Sequence, residues 1–336
     1  MLFSIIIPVY NRPQELDELL ACVSQQTYTN FEVLIIEDGS VDKADLIAEK
    51  YAKSFPINYF FKENGGQGFA RNYAFERAKG DFFVILDSDA LIEPSYLAEV
   101  KKGIEHQQID LFGGPDKDHV SFTATQKAIS FAMTSLFTTG GIRGKAKNVG
   151  GQFHPRSFNM GISRKVWEAT KGFVITRMGE DIEFSIRCIS LGFKSGLIPE
   201  AFIYHKRRTS FKQFYKQIHF FGRARINISR FYPSELKWVH FFPACYFIYF
   251  WNTIILNILV PPIGNLLFIG LSIYWLAILI DALKETKSLY VSLLGLVAAN
   301  IQLLAYGHGF IEEGLKKLPI LPRNKVILYV IFHTCF

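Results

Sequence analysis

The sequence predicts an α/β fold, a mostly parallel sheet with flanking helices, joined to a set of C-terminal transmembrane helices. Three observations carry this reading. Up to residue 110, short runs rich in Val, Ile and Phe alternate with segments of helical periodicity, the rhythm of strand–helix–strand units. Those runs are continuously apolar, as in strands buried on both faces. From Val239 onward the chain changes to long apolar runs with few charges, which lifts the mean hydropathy to +0.17. The expected division is a globular part, 1–237, whose last stretch, 205–237, is basic and interfacial, and a membrane region, 238–336, with two or three spans.

Taken in order, Phe3–Asn11 is a buried strand running into a turn. Pro13 sits early in a helix whose Leu16, Leu19, Leu20 and Val23 recur at helical spacing. Phe31 to Ile36 is a second strand, ending in Glu37-Asp38-Gly39-Ser40. A helix to about Lys53, a strand near Ile57–Phe61, the loop Gly65-Gly66-Gln67-Gly68 and a helix from Phe69 to Ala78 follow. The strand Phe82–Leu86 then stops at Asp87-Ser88-Asp89. Alternate residues of an extended chain point the same way, so the two Asp share one side. Like charges there repel unless a cation lies between them, and oxygen donors suit Mg²⁺ or Mn²⁺. Ligands of open α/β sheets bind at the carboxyl ends of strands, where this pair falls. Asp-Ser-Asp is also ordinary turn chemistry, so the pair takes its weight from its neighbours.

The glycine loop is not a dinucleotide fingerprint, because Arg71 stands where a third glycine belongs. Its N–H groups, preceding a helix, still suit an anion. Arg71 suits a bidentate phosphate or base contact; the alternative is a solvated helix residue. Ser121 to Phe137 reads as a helix carrying Phe122, Ala128, Phe131 and Phe137. Gly140–Lys145 reads as a basic surface loop; the rival reading is an acceptor-side lid, with Arg143 or Lys145 on a lipid phosphate. Arg164 opens a further helix in a structural role. Asp181 stands where another helix begins, an N-cap position, and Glu183 with Arg187 has the spacing of a helix-surface ion pair. Ala201–His205 is a short strand. Phe211, Phe214, Tyr215, Ile218 and Phe221 form a stripe beside Lys212 and Lys216, the pattern of an amphipathic helix lying on a bilayer.

The net charge is +7, and much of it lies between His205 and Lys237, where nine Lys/Arg face one acid, Glu235. A basic segment beside apolar spans fits an anionic lipid surface. No finger or RNA-binding signature accompanies it, so nucleic acid is not the expected partner. The four cysteines, Cys22, Cys188, Cys245 and Cys335, are far apart, which argues against structural zinc or a disulfide framework. The chain enters a strand at Leu2–Ile7 with no basic n-region, so no cleaved signal is expected and the globular part should be cytosolic. Phe241–Leu259 and Ile263–Ile280 are spans of the required length, separated by Pro261-Pro262. Leu289–Tyr306 is a third candidate, but a third crossing would put Lys316, Lys317, Arg323 and Lys325 outside, against the positive-inside rule. It is re-entrant, or the tail Val326–Phe336 contributes, or the charge bias is overridden. Asn300, Gln302 and His308 are polar residues in this apolar setting and are expected to face protein or acceptor.

Four of these stretches together carry a resemblance. S-I-I-I-P-V-Y-N in Phe3–Asn11, E-D-G-S-V-D in Glu37–Asp42, G-G-Q-G-F-A-R-N in Gly65–Asn72 and Asp87–Asp89 resemble, in order and spacing over roughly residues 1–235, the family 2 glycosyltransferases of GT-A fold. The resemblance implies that Pro8 and Tyr10 border the nucleoside, Asp38 accepts a hydrogen bond from the base, and Arg71 contacts base or diphosphate. It implies Asp89 as metal ligand with Asp87 nearer the ribose or sugar, and His205 completing the site for Mn²⁺ or Mg²⁺. Lys206-Arg207-Arg208 would hold the diphosphate. Asn159–Arg164 resembles the acceptor-side motif, and Glu180-Asp181 matches the family's base, Asp181, with Glu180 in support. Glu37 departs from the more usual Asp, with little consequence expected.

The expected function is thus an inverting, metal-dependent transfer of a sugar from a nucleotide-sugar donor to a lipid-linked or glycan acceptor at the cytosolic leaflet of a bacterial inner membrane, in contact with membrane lipids. A processive polysaccharide synthase is the first alternative. Gln217–Arg225 resembles its Q-x-x-R-W signature only loosely, and the Trp is absent. A nucleotidyltransferase would need a Lys-rich triphosphate loop that Tyr10–Arg12 does not supply. A non-catalytic membrane scaffold would show no Mn²⁺-dependent nucleotide binding.

Overall fold

The computed structural model describes residues 1–117, 119, 122–139 and 153–316, except for the side chain of His205. The first half alternates as the periodicity requires: β1 (Phe3–Val9), α1 (Pro13–Val23), β2 (Phe31–Asp38), α2 (Asp45–Tyr51), β3 (Ile57–Lys62), α3 (Gln67–Phe75) and β4 (Phe82–Leu86). These four strands are parallel and stand in the order β3-β2-β1-β4. Every residue of β2 and β4 is buried, as continuous apolar runs demand. One face packs α1 and α4 (Tyr96–Gln107) over Ile5, Ile7, Val33 and Val84. The other packs α3, α7 (Arg164–Thr170) and α8 (Glu180–Ser190) over Ile6, Leu34 and Phe83.

The sheet continues beyond β4 through β8 (Asn159–Ser163), β6 (Leu111–Gly113) and β9 (Ser195–Leu197), giving seven strands in the order β3-β2-β1-β4-β8-β6-β9. It is therefore mixed: β8 runs antiparallel to both β4 and β6. Arg164 fastens this half, donating to the carbonyls of Ala78 and Gly80 at 2.7–3.0 Å. A second small sheet, β5 (Ala90–Ile92), β10 (Ile203–His205) and β7 (Asp116–Lys117), puts the backbone of His205 opposite Ala90. The Lys206 N–H donates to the Asp89 carbonyl at 3.2 Å.

The predicted helix over 121–137 is two pieces, α5 (Ala124–Thr134), started by a capping box between Thr123 and Gln126, and α6 (Leu136–Thr139). A long helix, α9 (Phe211–Phe231), follows, and then α10 (Phe242–Leu259), α11 (Pro261–Thr286) and α12 (Leu289–Leu315). Val260, extended before two prolines, ends α10, and Pro261 opens α11 at the position where its missing N–H costs nothing. Three helices, Trp238–Leu259, Pro261–Thr286 and Leu289–Leu315, are long and apolar enough to span a membrane. α12 is one unbroken helix, so it contains no re-entrant break.

Most of the α9 stripe packs on protein, while Tyr215 stays exposed. Phe214 and Ile218 are buried against Phe131 and Ala132 of α5 and Ala298, Ala299 and Ala305 of α12. Periodicity identified an apolar face but not its cover, which is another apolar helix later in the chain. The pair Glu183–Arg187 forms at 2.8 Å, but buried rather than on the surface. The helix beginning at Glu180 takes Gly179 as N-cap, so Asp181 lies inside its first turn.

Candidate active site

In the order β3-β2-β1-β4 the chain direction of winding reverses between β1 and β4, and ligands of such sheets sit at that crevice. A cavity of 1390 Å³ opens there, lined by Pro8, Tyr10 and Arg12 after β1, Asp38 at the end of β2, and Asp87 and Asp89 after β4. The first turn of α8 closes it with Glu180 and Asp181. Two clusters about ninety residues apart in sequence thus share one wall. The backbone of His205 lies beside that wall through its pairing with Ala90; its side chain is outside the described residues. Arg143 and Lys145 are outside them too.

Arg71 does not reach the cavity. It is 0% exposed and bonds Asp87 Oδ1 at 2.9 Å, with Glu180 Oε1 3.6 Å away. One guanidinium therefore ties the strand-end acid to the helix acid, and the reading of Arg71 as a solvated residue fails. Glu180 is buried and accepts a hydrogen bond from Gln67 Nε2. Burial, and then the charge of Asp181, raises its pKa, against the pull of Arg71. Asp181 is more open: its carboxylate faces the cavity, with Arg156 Nη1 at 3.6 Å and the Ile182 N–H donating at 2.9 Å.

The cations that face the Asp87/Asp89 pair in this structure are guanidiniums. Arg12 forms an ion pair with Asp89, and Arg71 holds Asp87. Burial works against the Arg12 charge, but Asp89 outweighs it and the pKa is raised. The sequence reading missed Arg12. The order of strands would have found it, since the residues just after β1 lie beside those just after β4. The donor set fits a hard divalent ion: two carboxylates of one short loop, both on the cavity wall and both offering oxygen. Asp87 and Asp89 would hold such an ion, in competition with Arg12.

Asp38 is buried, and its carboxylate accepts from Lys62 Nζ at 2.6 Å and from the Gly65 and Gly66 N–H groups at 2.9 and 2.8 Å. The anion that the glycine loop cradles is Asp38 itself, not a ligand phosphate. Glu37 holds the other side of this loop, accepting from Ser40 Oγ, the Ala44 N–H at 2.9 Å and Tyr59 Oη at 3.2 Å. Of the basic triplet, Lys206 pairs with Glu18 at 2.5 Å and Arg207 with buried Asp116 at 2.7 Å. Arg208 makes no ion pair among the described residues. Burial, and then Arg12, lowers its pKa, against the pull of Asp89 and Asp87.

The cavity does not end at the globular part. It runs past Phe137 of α6 and Gln217 and Phe221 of α9 to Phe242, Tyr274, Gln302 and Tyr306 of the three apolar helices. Asn300 serves a different purpose, accepting from Tyr246 Oη at 2.5 Å and Trp275 Nε1 at 2.8 Å inside the helix bundle.

The chain is similar to several known proteins. An uncharacterized glycosyltransferase of Rickettsia typhi is 43% identical over 106 residues, 32% of this chain and 30% of that protein. The minor teichoic acid biosynthesis protein GgaB of Bacillus subtilis is 34% identical over 119 residues, 34% of this chain and 13% of that protein. The chain thus spans well under two thirds of the length of either relative. Among solved structures, the mannosyltransferase PcManGT from Pyrobaculum calidifontis, in complex with GDP-Man and Mn²⁺, superimposes with a TM-score of 0.58 at 15% identity, over 94% of this chain and 88% of that one; at that identity the likeness concerns the fold. The pattern that defines Glycosyl transferase family 2 matches residues 4–171, half of the chain, and the protein belongs to that family.

Proposed function

We propose that the protein transfers a sugar, with inversion, from a nucleotide-sugar to a lipid-linked acceptor at the membrane surface, with help from a divalent cation. The observation that supports this most directly is the continuity of the cavity, which has Asp38, Asp87 and Asp89 at one end and Phe242, Tyr274 and Tyr306 of the apolar helices at the other. A soluble donor enters from the sheet side, and an acceptor with a hydrocarbon chain enters from the helices. That PcManGT carries GDP-Man and Mn²⁺ on the same fold, and that GgaB acts in minor teichoic acid biosynthesis, is in keeping with this reading.

Pro8, Tyr10 and Asp38 border the nucleoside, and Arg208 faces the diphosphate. Arg71, held behind the wall, orients Asp87 and Glu180 rather than touching the donor. Asp181 takes the acceptor's hydroxyl proton as that oxygen attacks the anomeric carbon, while the bond to the nucleoside diphosphate breaks on the opposite side. Asp181 suits this role better than Glu180, because Glu180 is enclosed by Arg71 and Gln67. Asp87 and Asp89 would hold the divalent cation, with His205 as the further ligand, and the ion would neutralise charge on the departing diphosphate.

The experiment is transfer from a panel of nucleotide-sugars in membranes containing the protein, with product stereochemistry by NMR. Asp181→Asn should retain donor affinity and lose turnover by about 10²-fold or more. Asp89→Asn should lose Mn²⁺-dependent nucleotide binding. A retained anomeric configuration, or turnover near wild type in Asp181→Asn, overturns the mechanism.

A further inference from the structure

Helices α9 and α12 approach each other more closely than side chains allow. A Cβ at Gly222 would lie 2.2 Å from the Tyr306 carbonyl oxygen, and one at Gly309 would lie 2.1 Å from that of His219. Glycine at both positions lets the backbones pack together. That approach brings His219 of α9 against His308 and Glu312 of α12, which lie one turn apart on one face. One donor atom from each of the three lies within 4.8 Å of the others.

The chemistry of these atoms is specific. His219 Nε2 is 2.8 Å from Glu312 Oε2, close enough for the imidazole and the carboxylate to share a proton or an ion. Glu312 turns its other oxygen, Oε1, to Lys316 at 2.8 Å and to Arg223 at 3.9 Å, leaving Oε2 for the histidines. His308 Nδ1 is 2.8 Å from Tyr215 Oη. With Nδ1–H donating to that hydroxyl, His308 Nε2 keeps a lone pair for a ligand, the arrangement in which an outer hydrogen bond fixes the tautomer of a ligating histidine.

We propose that His219, His308 and Glu312 bind a divalent transition-metal ion of the Zn²⁺ class that clasps α9 to α12. Two imidazoles and one carboxylate suit zinc, whereas the all-oxygen pair Asp87/Asp89 suits Mg²⁺ or Mn²⁺. The cluster is half-exposed, so water takes the fourth position. The ion fixes the register of two helices whose other faces line the acceptor end of the cavity, through Gln217 and Phe221 on α9 and Gln302 and Tyr306 on α12.

The test is Zn²⁺ titration of the purified full chain in detergent, against a competing chromophoric chelator. The expected result is one tight Zn²⁺ per chain, unchanged in Asp89→Asn. His308→Ala and Glu312→Gln should each weaken it about 100-fold or more, and Tyr215→Phe about 10-fold, as loss of an outer hydrogen bond does. Co²⁺ in place of Zn²⁺ should show the visible absorption of a four-coordinate site, absent in His308→Ala. Should His308→Ala fail to fold, Glu312→Gln decides alone. Tight zinc retained in Glu312→Gln, or no tight zinc in the wild type, overturns the proposal. No sugar transfer is read, so the outcome is independent of the proposed reaction.

Discussion

Two arginines neutralise the strand-end acids, and their surroundings give them different roles. The Arg12 side chain is 31% exposed, at the mouth of the cavity, and can leave Asp89 for water. Arg71 has no such exit: its side chain is 0% exposed, and its partners are Asp87 and the buried Glu180. Removing one member of a buried ion pair leaves an uncompensated charge and costs about 3–5 kcal/mol. Arg71→Ala should therefore lower the melting temperature by roughly 10 °C. Arg12→Ala should leave it near wild type while tightening Mn²⁺ binding in the absence of nucleotide, since the competing guanidinium is gone. Melting curves and Mn²⁺ titration check both, and weaker Mn²⁺ binding in Arg12→Ala would mean that Arg12 does not compete for Asp89. Residue identity alone did not distinguish these two arginines. Arg71 was legible as important because it follows a glycine loop, but its burial depends on Phe173 and α8, more than a hundred residues later. Asp38 ends β2, Asp87 and Asp89 follow β4, and Asp181 lies in the first turn of α8, positions that periodicity does locate, whereas only the family resemblance offered chemical roles for Asp38 and Asp181.

At the scale of elements, strands announced themselves where both faces are buried and stayed hidden where they are short. β2 and β4 are buried throughout and β1 nearly so, whereas β6, β9 and β10 have three residues each and carry no periodicity to read. Nor does the antiparallel turn of β8 leave a mark in its sequence, because direction is set by the long excursion before it. The α9 stripe shows the same limit: spacing gave the face, and α5 and α12 gave its cover. This contact rests on Gly222, whose added side chain would meet the backbone of Tyr306, an obstacle that no rotamer change relieves. Gly222→Leu should separate α9 from α12 and disturb Gln217 and Phe221 at the acceptor end, while Asp38 and Arg208 stay in place. Acceptor transfer should fall by about 10-fold or more, as misplacement of reacting groups predicts. Nucleotide affinity by calorimetry should remain within about twofold of wild type, the site of Asp38 and Arg208 being unaltered. Equal losses of both would show that the helix contact supports the whole fold rather than the acceptor end.

For the whole molecule, the three apolar helices are not equivalent. α10 and α11 bury 22% and 17% of their most apolar windows, but α12 buries 39%. α10 leaves the cavity at Phe242 and Pro243, and α11 returns to set Asp281 Oδ2 2.7 Å from Ser135 Oγ of the globular part. α12 then stays against α9 along its second half: Glu313 accepts from Arg223 at 3.0 Å and Arg230 at 2.9 Å. Those arginines belong to the basic segment, and we propose that Lys316 lies on the same side of the membrane as Lys284 and Lys287. The conflict with the positive-inside rule arises only if α12 crosses the bilayer, and the ion pairs of Glu313 with α9 favour the alternative, in which its end stays beside α9. We therefore expect two crossings, with α12 lying along the membrane face of the globular part. Single cysteines introduced into a cysteine-free background should settle this by labelling with an impermeant maleimide. Ser288→Cys and Lys316→Cys should label from the same side as Lys53→Cys in the globular part. Val260→Cys, at the α10–α11 turn, should label from the opposite side. Labelling of Lys316→Cys together with Val260→Cys would instead establish a third crossing, and would require the Glu313 ion pairs with α9 to be absent in the bilayer.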